Sequence, residues 1–174
     1  MGSVDKEGTA RPSDEQLQEL VTEKFSVIWP EILLFFVART QKLNATLGNP
    51  LDAVIIQVIC WHHFLLNIRE TTDADDNSFD TALKLWSRYN NDAGAAGGSK
   101  RLTFAAIERL TAIPFETVRR RVRSLEGRGW VIISDETGID LNVDSSVNQL
   151  IVEEIHPFEK QEFVKLLSKV CKQL

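Results

Sequence analysis

Residues 102–142 read LTFAAIERLTAIPFETVRRRVRSLEGRGWVIISDETGIDLN, and the periodicity of this stretch decides the fold class. Helical spacing covers about 103–111 and 114–127, and only Ala112-Ile113-Pro114 lies between the two segments. A turn so short suits two helices that cross steeply. Ile107, Leu110 and Ile113 can then form one apolar cluster with Val118, Val122 and Leu125. The helical repeat puts Val118, Val122 and Leu125 on the buried face of the second helix and Glu116, Arg120, Arg123 and Gly127 on the opposite one. Phe115 and Arg119 fall on the flanks. Beyond this helix, 130–134 and 139–142 read as short strands joined by Asp135-Glu136-Thr137-Gly138, a hairpin signal.

Charge singles out the same segment. The chain has 174 residues and a formal charge of −5, with a pI near 5.3. This balance argues against a chain that is basic throughout and coats nucleic acid, but it leaves room for a local basic face. Residues 100–130 hold eight basic side chains (Lys100, Arg101, Arg109, Arg119, Arg120, Arg121, Arg123 and Arg128) against Glu108, Glu116 and Glu126. The segment is therefore +5 and the remainder −10. The guanidinium fork matches phosphate oxygens and the O6/N7 edge of guanine.

The run IERLTAIPFETVRRRVRSLEGRGWV, residues 107–131, resembles the winged helix-turn-helix of bacterial transcriptional regulators, in particular the MarR type and its relatives. The resemblance covers about 40 residues, under a quarter of the chain. It implies that Phe115, Glu116, Arg119 and Arg120 face base edges and that Lys100, Arg101, Thr117 and Arg123 hold phosphates. It also implies a homodimer on double-stranded DNA, with helix 114–127 in the major groove. Three positions depart from the pattern. Glu108 stands where a small residue packs on the recognition helix, and Ala112 where the turn usually has glycine. The wing tip, Asp135-Glu136, is acidic where a basic residue would reach the minor groove.

The rest of the chain reads as helical support. Residues 1–12 form a loose tail, and Ser13-Asp14-Glu15-Gln16 fits a capping box ahead of Leu17, Leu20, Val21, Phe25 and Ile28. Pro30 should interrupt, with a second helix from Ile32 to about Leu47 and Gly48 ending it. Asn49-Pro50 caps the next, which from Leu51 to Ile68 is apolar on nearly every side and so should be central or lie in a subunit interface. An acidic loop, 71–77, precedes a short amphipathic helix marked by Phe79, Leu83, Trp86 and Tyr89. The stretch 90–99, NNDAGAAGGS, is the best hinge. A last helix from Pro157 to Leu174 carries Phe163, Leu166, Leu167, Val170, Cys171 and Leu174 on one stripe and should pack back on the N-terminal part. The expected organisation is a flexible tail (1–12), a helical support and dimerisation region (13–90), a winged helix-turn-helix (100–142) and a C-terminal dimerisation helix (157–174).

Other chemistries find little support. Cys60, His62 and His63 share a helix without a second ligand cluster, so core packing is preferred to a metal site. Asp73-Ala-Asp75-Asp76-Asn77 lacks the glycine and glutamate of a calcium loop, since Ser78 and Lys84 stand there. The stretch 94–100 lacks the Walker pattern. No catalytic constellation is recognisable, and neither enzyme activity nor a cofactor is expected. Cys60 and Cys171 read as buried free thiols. Trp29, Phe35, Phe36, Trp61, Phe64 and Trp86 read chiefly as core, with a small-molecule effector site among them as the minority reading. No apolar run is long enough to span a membrane and no signal-peptide core is present, so the expected location is the cytoplasm. The expectation is a mostly α protein and a sequence-specific DNA-binding regulator; the alternative is a winged-helix protein-interaction module without DNA binding.

Overall fold

The computed structural model describes residues 13–70, 78–81, 101–135 and 138–173, the side chains of 65–70 and 148 excepted. The tail 1–12, the acidic loop 71–77, Leu83, Trp86, Tyr89, the stretch 90–99, Lys100 and Glu136 lie outside the described residues. The protein is mostly helical, with one small antiparallel sheet late in the chain.

Helix α1 spans Asp14–Glu23 and opens on the expected capping box: the Gln16 amide donates to Ser13 Oγ at 3.2 Å, and the Ser13 amide donates to Gln16 Oε1 at 2.8 Å. The break expected at Pro30 falls at Lys24 instead, and α2 is one helix, Phe25–Leu47, with Pro30 inside it. Pro30 lies in the second turn of α2, where its missing amide costs the helix the bond to the Ser26 carbonyl. The Lys24 carbonyl meanwhile takes the amides of Val27 and Ile28, both at 2.9 Å. Gly48 (φ 73°) ends α2 as expected. Asn49 then caps α3, Pro50–Glu70, its Oδ1 accepting the Leu51 amide at 2.9 Å.

Helix α4 spans Phe104–Thr111, α5 Phe115–Gly127, β1 Val131–Ser134 and β2 Gly138–Leu141. The strands pair from Val131–Leu141 to Ser134–Gly138. Leu102 adds one bridge to Gly138, and its carbonyl accepts the Ile139 amide at 3.0 Å. Gly138 allows this approach, because a Cβ there would stand 2.6 Å from the Leu102 carbonyl oxygen.

The expected helix start at Pro157 is corrected. Helical backbone begins at Ser146 with α6, Ser146–Leu150, and passes through a π turn, Ile151–Ile155, into α7, His156–Cys171. The His156 amide reaches five residues back to the Ile151 carbonyl. That wider turn falls just where Pro157, with neither amide nor room for its ring, would otherwise break an α-helical ladder.

Two compact units emerge, Arg39–Lys160 and the described part of Met1–Ala38 with Gln161–Leu174. The first owns the core. In it α3 packs on α4, α5 and β2, burying Ile55, Ile59, Ile107, Val118, Val122, Leu125, Ile139 and Leu141 almost completely. The helix from Leu51 is thus central, though Val54 and Trp61 face outward.

The second unit buries only Ile28 among its described residues. Within it Phe35 meets Phe163 (5.8 Å between centroids) and Lys169 pairs with Glu31, so the end of the last helix does pack on the start of α2. Twelve large apolar side chains remain exposed, including Phe25, Trp29, Leu34, Phe36, Phe163 and Leu167. Trp29, Phe36 and Trp61 are therefore not core, and Cys171 is exposed, not buried. A few helical segments have too little inward-facing area to cover α2, which is apolar all round. No single helix among the described residues is long and apolar enough to cross a membrane.

Candidate nucleic-acid interface

Ala112 sets the angle between α4 and α5. It adopts the left-handed conformation (φ 57°, ψ 16°), and its amide donates to the Glu108 carbonyl. Thr111 ties the same turn: its hydroxyl donates to the Ile107 carbonyl at 2.7 Å and accepts the Ile113 amide at 3.2 Å.

The next residue, Pro114, is the N-cap of α5 and has no side-chain oxygen to offer. Glu108 supplies one, its Oε1 accepting the Phe115 amide at 3.1 Å. The position expected to be small is thus a carboxylate, placed where the positive end of the α5 dipole favours it. At the other end Gly129 (φ 80°) lets the Trp130 amide reach the Leu125 carbonyl and its own amide reach Glu126, a Schellman closure. It turns the chain into β1.

Between these ends α5 buries Val118, Val122 and Leu125, as the periodicity predicts. Glu116, Thr117, Arg119, Arg120 and Arg123 line one shallow, open concavity on its outer side. Arg119 donates to Glu116 Oε2 through Nε and Nη2 (3.0 and 2.9 Å), and Arg123 Nη1 donates to Glu126 at 2.9 Å. These pairs are exposed and worth about 0.2–1 kcal/mol each. A charge-assisted bond to phosphate, at about 1.5–3 kcal/mol, outweighs them. Arg120 and Arg101 are exposed, with no carboxylate in salt-bridge range among the described residues. Phe115 is 38% exposed, and its ring meets Phe104 edge-on at 6.3 Å. The structure thus gathers Glu116, Thr117, Arg119, Arg120 and Arg123, leaves Arg101 outside that concavity, and rests Phe115 against α4. Asp135, at the end of the β1 side of the hairpin, is exposed.

Sequence reasoning missed one cluster. Arg121 and Arg128 do not join the outer face. Arg121 Nε donates to Asp52 Oδ1 at 2.7 Å, and Arg128 Nη2 donates to Asp52 Oδ2. Arg128 Nη1 also donates to the Leu47 carbonyl at 2.8 Å. Asp52 itself is 1% exposed. A carboxylate this buried would be left uncompensated without a cation, so these arginines are held. The available signal was Asp52 itself, a lone carboxylate in the first turn of an apolar helix, which must find cations if buried.

A second polar cluster stands apart from α5. Arg39 bonds Gln57 and pairs with Glu159 at 2.6 Å, and His156 Nδ1 lies 3.3 Å from Glu159. Burial alone would raise the Glu159 carboxyl, but the His156 hydrogen bond and the Arg39 charge outweigh it and hold it below its ordinary value. Burial, and then the charge of Glu159, pushes the Cys60 thiol up to about 12. The cavity these groups share with Trp130, Ile151 and Ile155 is about 30 Å³, room for one or two waters. His63 is buried and Cys60 half-buried, and no group of three potential metal ligands assembles among the described residues.

Neither protein-family models, nor curated proteins, nor solved structures yield a match to the chain.

Proposed function

We propose that the protein is a sequence-specific, double-stranded-DNA-binding transcriptional regulator of the winged helix-turn-helix kind, similar to the bacterial MarR type, acting in the cytoplasm as a homodimer and not as an enzyme. One observation carries the reading. Helix α5 buries one face completely and offers on the other a shallow concavity lined by Arg119, Arg120, Arg123, Thr117 and Glu116. Helix α4 with α5 is then the helix-turn-helix, and the β1–β2 hairpin the wing. Arg119 and Arg120, with Phe115 and Glu116, read bases; Arg101, Lys100, Thr117 and Arg123 hold phosphates.

The dimer rests on the terminal unit. Its twelve exposed large apolar side chains range from 40 to 57% exposed. So many exposed apolar side chains on one unit mark an interaction surface. Sedimentation at micromolar concentration should give about twice 19.7 kDa. A monomer at high concentration would remove both the dimer and the expectation of half-sites about 10 base pairs apart.

Selection of bound duplexes from a random pool tests DNA binding and delivers the site. On that site Arg120→Ala should cost about 1–3 kcal/mol and relax selectivity at one base pair, while Arg123→Ala should weaken all sequences alike. Equal losses from Arg120→Ala on selected and random DNA would refute its base-reading role. The exposure of two apolar side chains near the turn, Leu110 (54%) and Phe115 (38%), favours a second reading, a protein-interaction module. It predicts partner binding without the steep salt dependence that phosphate contacts impose.

A further inference from the structure

Thr117, Arg121 and Arg128 succeed one another at spacings of four and seven along one flank of α5. Helical geometry lays such positions in a row. Thr117 lines the outer concavity, and the two arginines continue its row. They are turned inward to Asp52, their side chains 22% and 39% exposed against 1% for Asp52. The backbone reinforces this arrangement. Asp52 sits in the first turn of α3, where the helix dipole favours a carboxylate. Arg128 also bonds the carbonyl of Leu47, the last residue of α2, where the dipole favours a cation.

We infer that Asp52 is a positioning residue that withholds Arg121 and Arg128 from polyanions, so that base-reading side chains and not bulk charge govern what α5 binds. The inference rests on the DNA-binding reading above and deepens it by naming what limits non-specific affinity. A recognition helix with every arginine free would grip any duplex, because each phosphate neutralised releases about 0.9 counterions whatever the sequence. Asp52 takes two of the three arginines of the helix and its C-cap that are not Arg119 or Arg120, leaving Arg123 on the open side. The same carboxylate ties the start of α3 to the middle and end of α5, so orientation and charge are set by one group.

The test is the salt dependence of binding to a random duplex. Asp52→Asn keeps the shape and the acceptor oxygen but removes the charge that holds the arginines. It should raise affinity for random DNA, steepen the log–log salt slope by up to about 1.8, and lower the ratio of selected to random affinity. Arg121→Gln and Arg128→Gln should leave the slope unchanged, whereas Arg123→Gln, which removes a phosphate contact, should reduce it by about 0.9. These variants decide the matter if Asp52→Asn does not fold by circular dichroism. The inference is overturned if Arg121→Gln or Arg128→Gln flattens the slope as Arg123→Gln does, or if folded Asp52→Asn leaves it unchanged. Failure of the DNA reading looks different: wild-type protein would bind no duplex in a salt-dependent way. Elution from immobilised heparin then scores the clamp alone. Later elution of Asp52→Asn supports it, and co-elution with wild type overturns it.

Discussion

Replacing Ala112 with glycine should stabilise the protein. Ala112 is the one described non-glycine residue with positive φ, at 57°. A left-handed conformation costs an ordinary L-residue roughly 1–2 kcal/mol, through crowding of Cβ against its own carbonyl. Glycine escapes that cost but loses about 0.4–1 kcal/mol through its freer unfolded chain. The Ala112 side chain is exposed, so little packing is forfeited. The balance is a gain of about 0.5–1 kcal/mol, or roughly 1–4 °C in Tm for a chain of this size. Ala112→Val should move the other way by at least as much, because a β-branched side chain fits the left-handed region worst. Urea unfolding followed by circular dichroism at one fixed protein concentration reads both variants, as a shift in midpoint at constant m. A destabilised glycine variant, or a valine variant as stable as wild type, would refute a left-handed turn between α4 and α5.

Three further outcomes follow from the same region and its surroundings. Glu108→Ala should cost about 0.5–2 kcal/mol by uncapping α5, and Glu108→Gln less, since the amide oxygen still accepts the Phe115 amide; equal stability of all three proteins in denaturant would refute the cap. Gly138→Ala should cost at least about 2 kcal/mol in the same assay, because the new Cβ meets the Leu102 carbonyl and φ is 85°. In a Cys171→Ser background Cys60, its thiol pushed up to about 12, should resist iodoacetamide at pH 8 and react only in denaturant. Rapid native labelling would show that burial does not hold that thiol protonated.

Local interactions made much of this protein legible in its amino-acid sequence. The Ser13–Gln16 capping box, the Gly48-Asn49-Pro50 junction, the apolar face of α5 and the β1–β2 hairpin each depend on residues within one or two turns, where periodicity and capping chemistry act. The outward set of Glu116, Arg120 and Arg123 followed from the same helical geometry. Tertiary structure decided what the neighbours in space do. Asp52 lies 69 and 76 residues from the arginines it holds, so no local pattern separates Arg121 and Arg128 from Arg120. Glu108, seven residues before Phe115, becomes a cap only because the left-handed Ala112 folds α4 back toward the start of α5. Composition marks Trp29 and Phe36 as apolar, but burial depends on how much surface the surrounding elements can cover, and the helices around α2 leave both exposed.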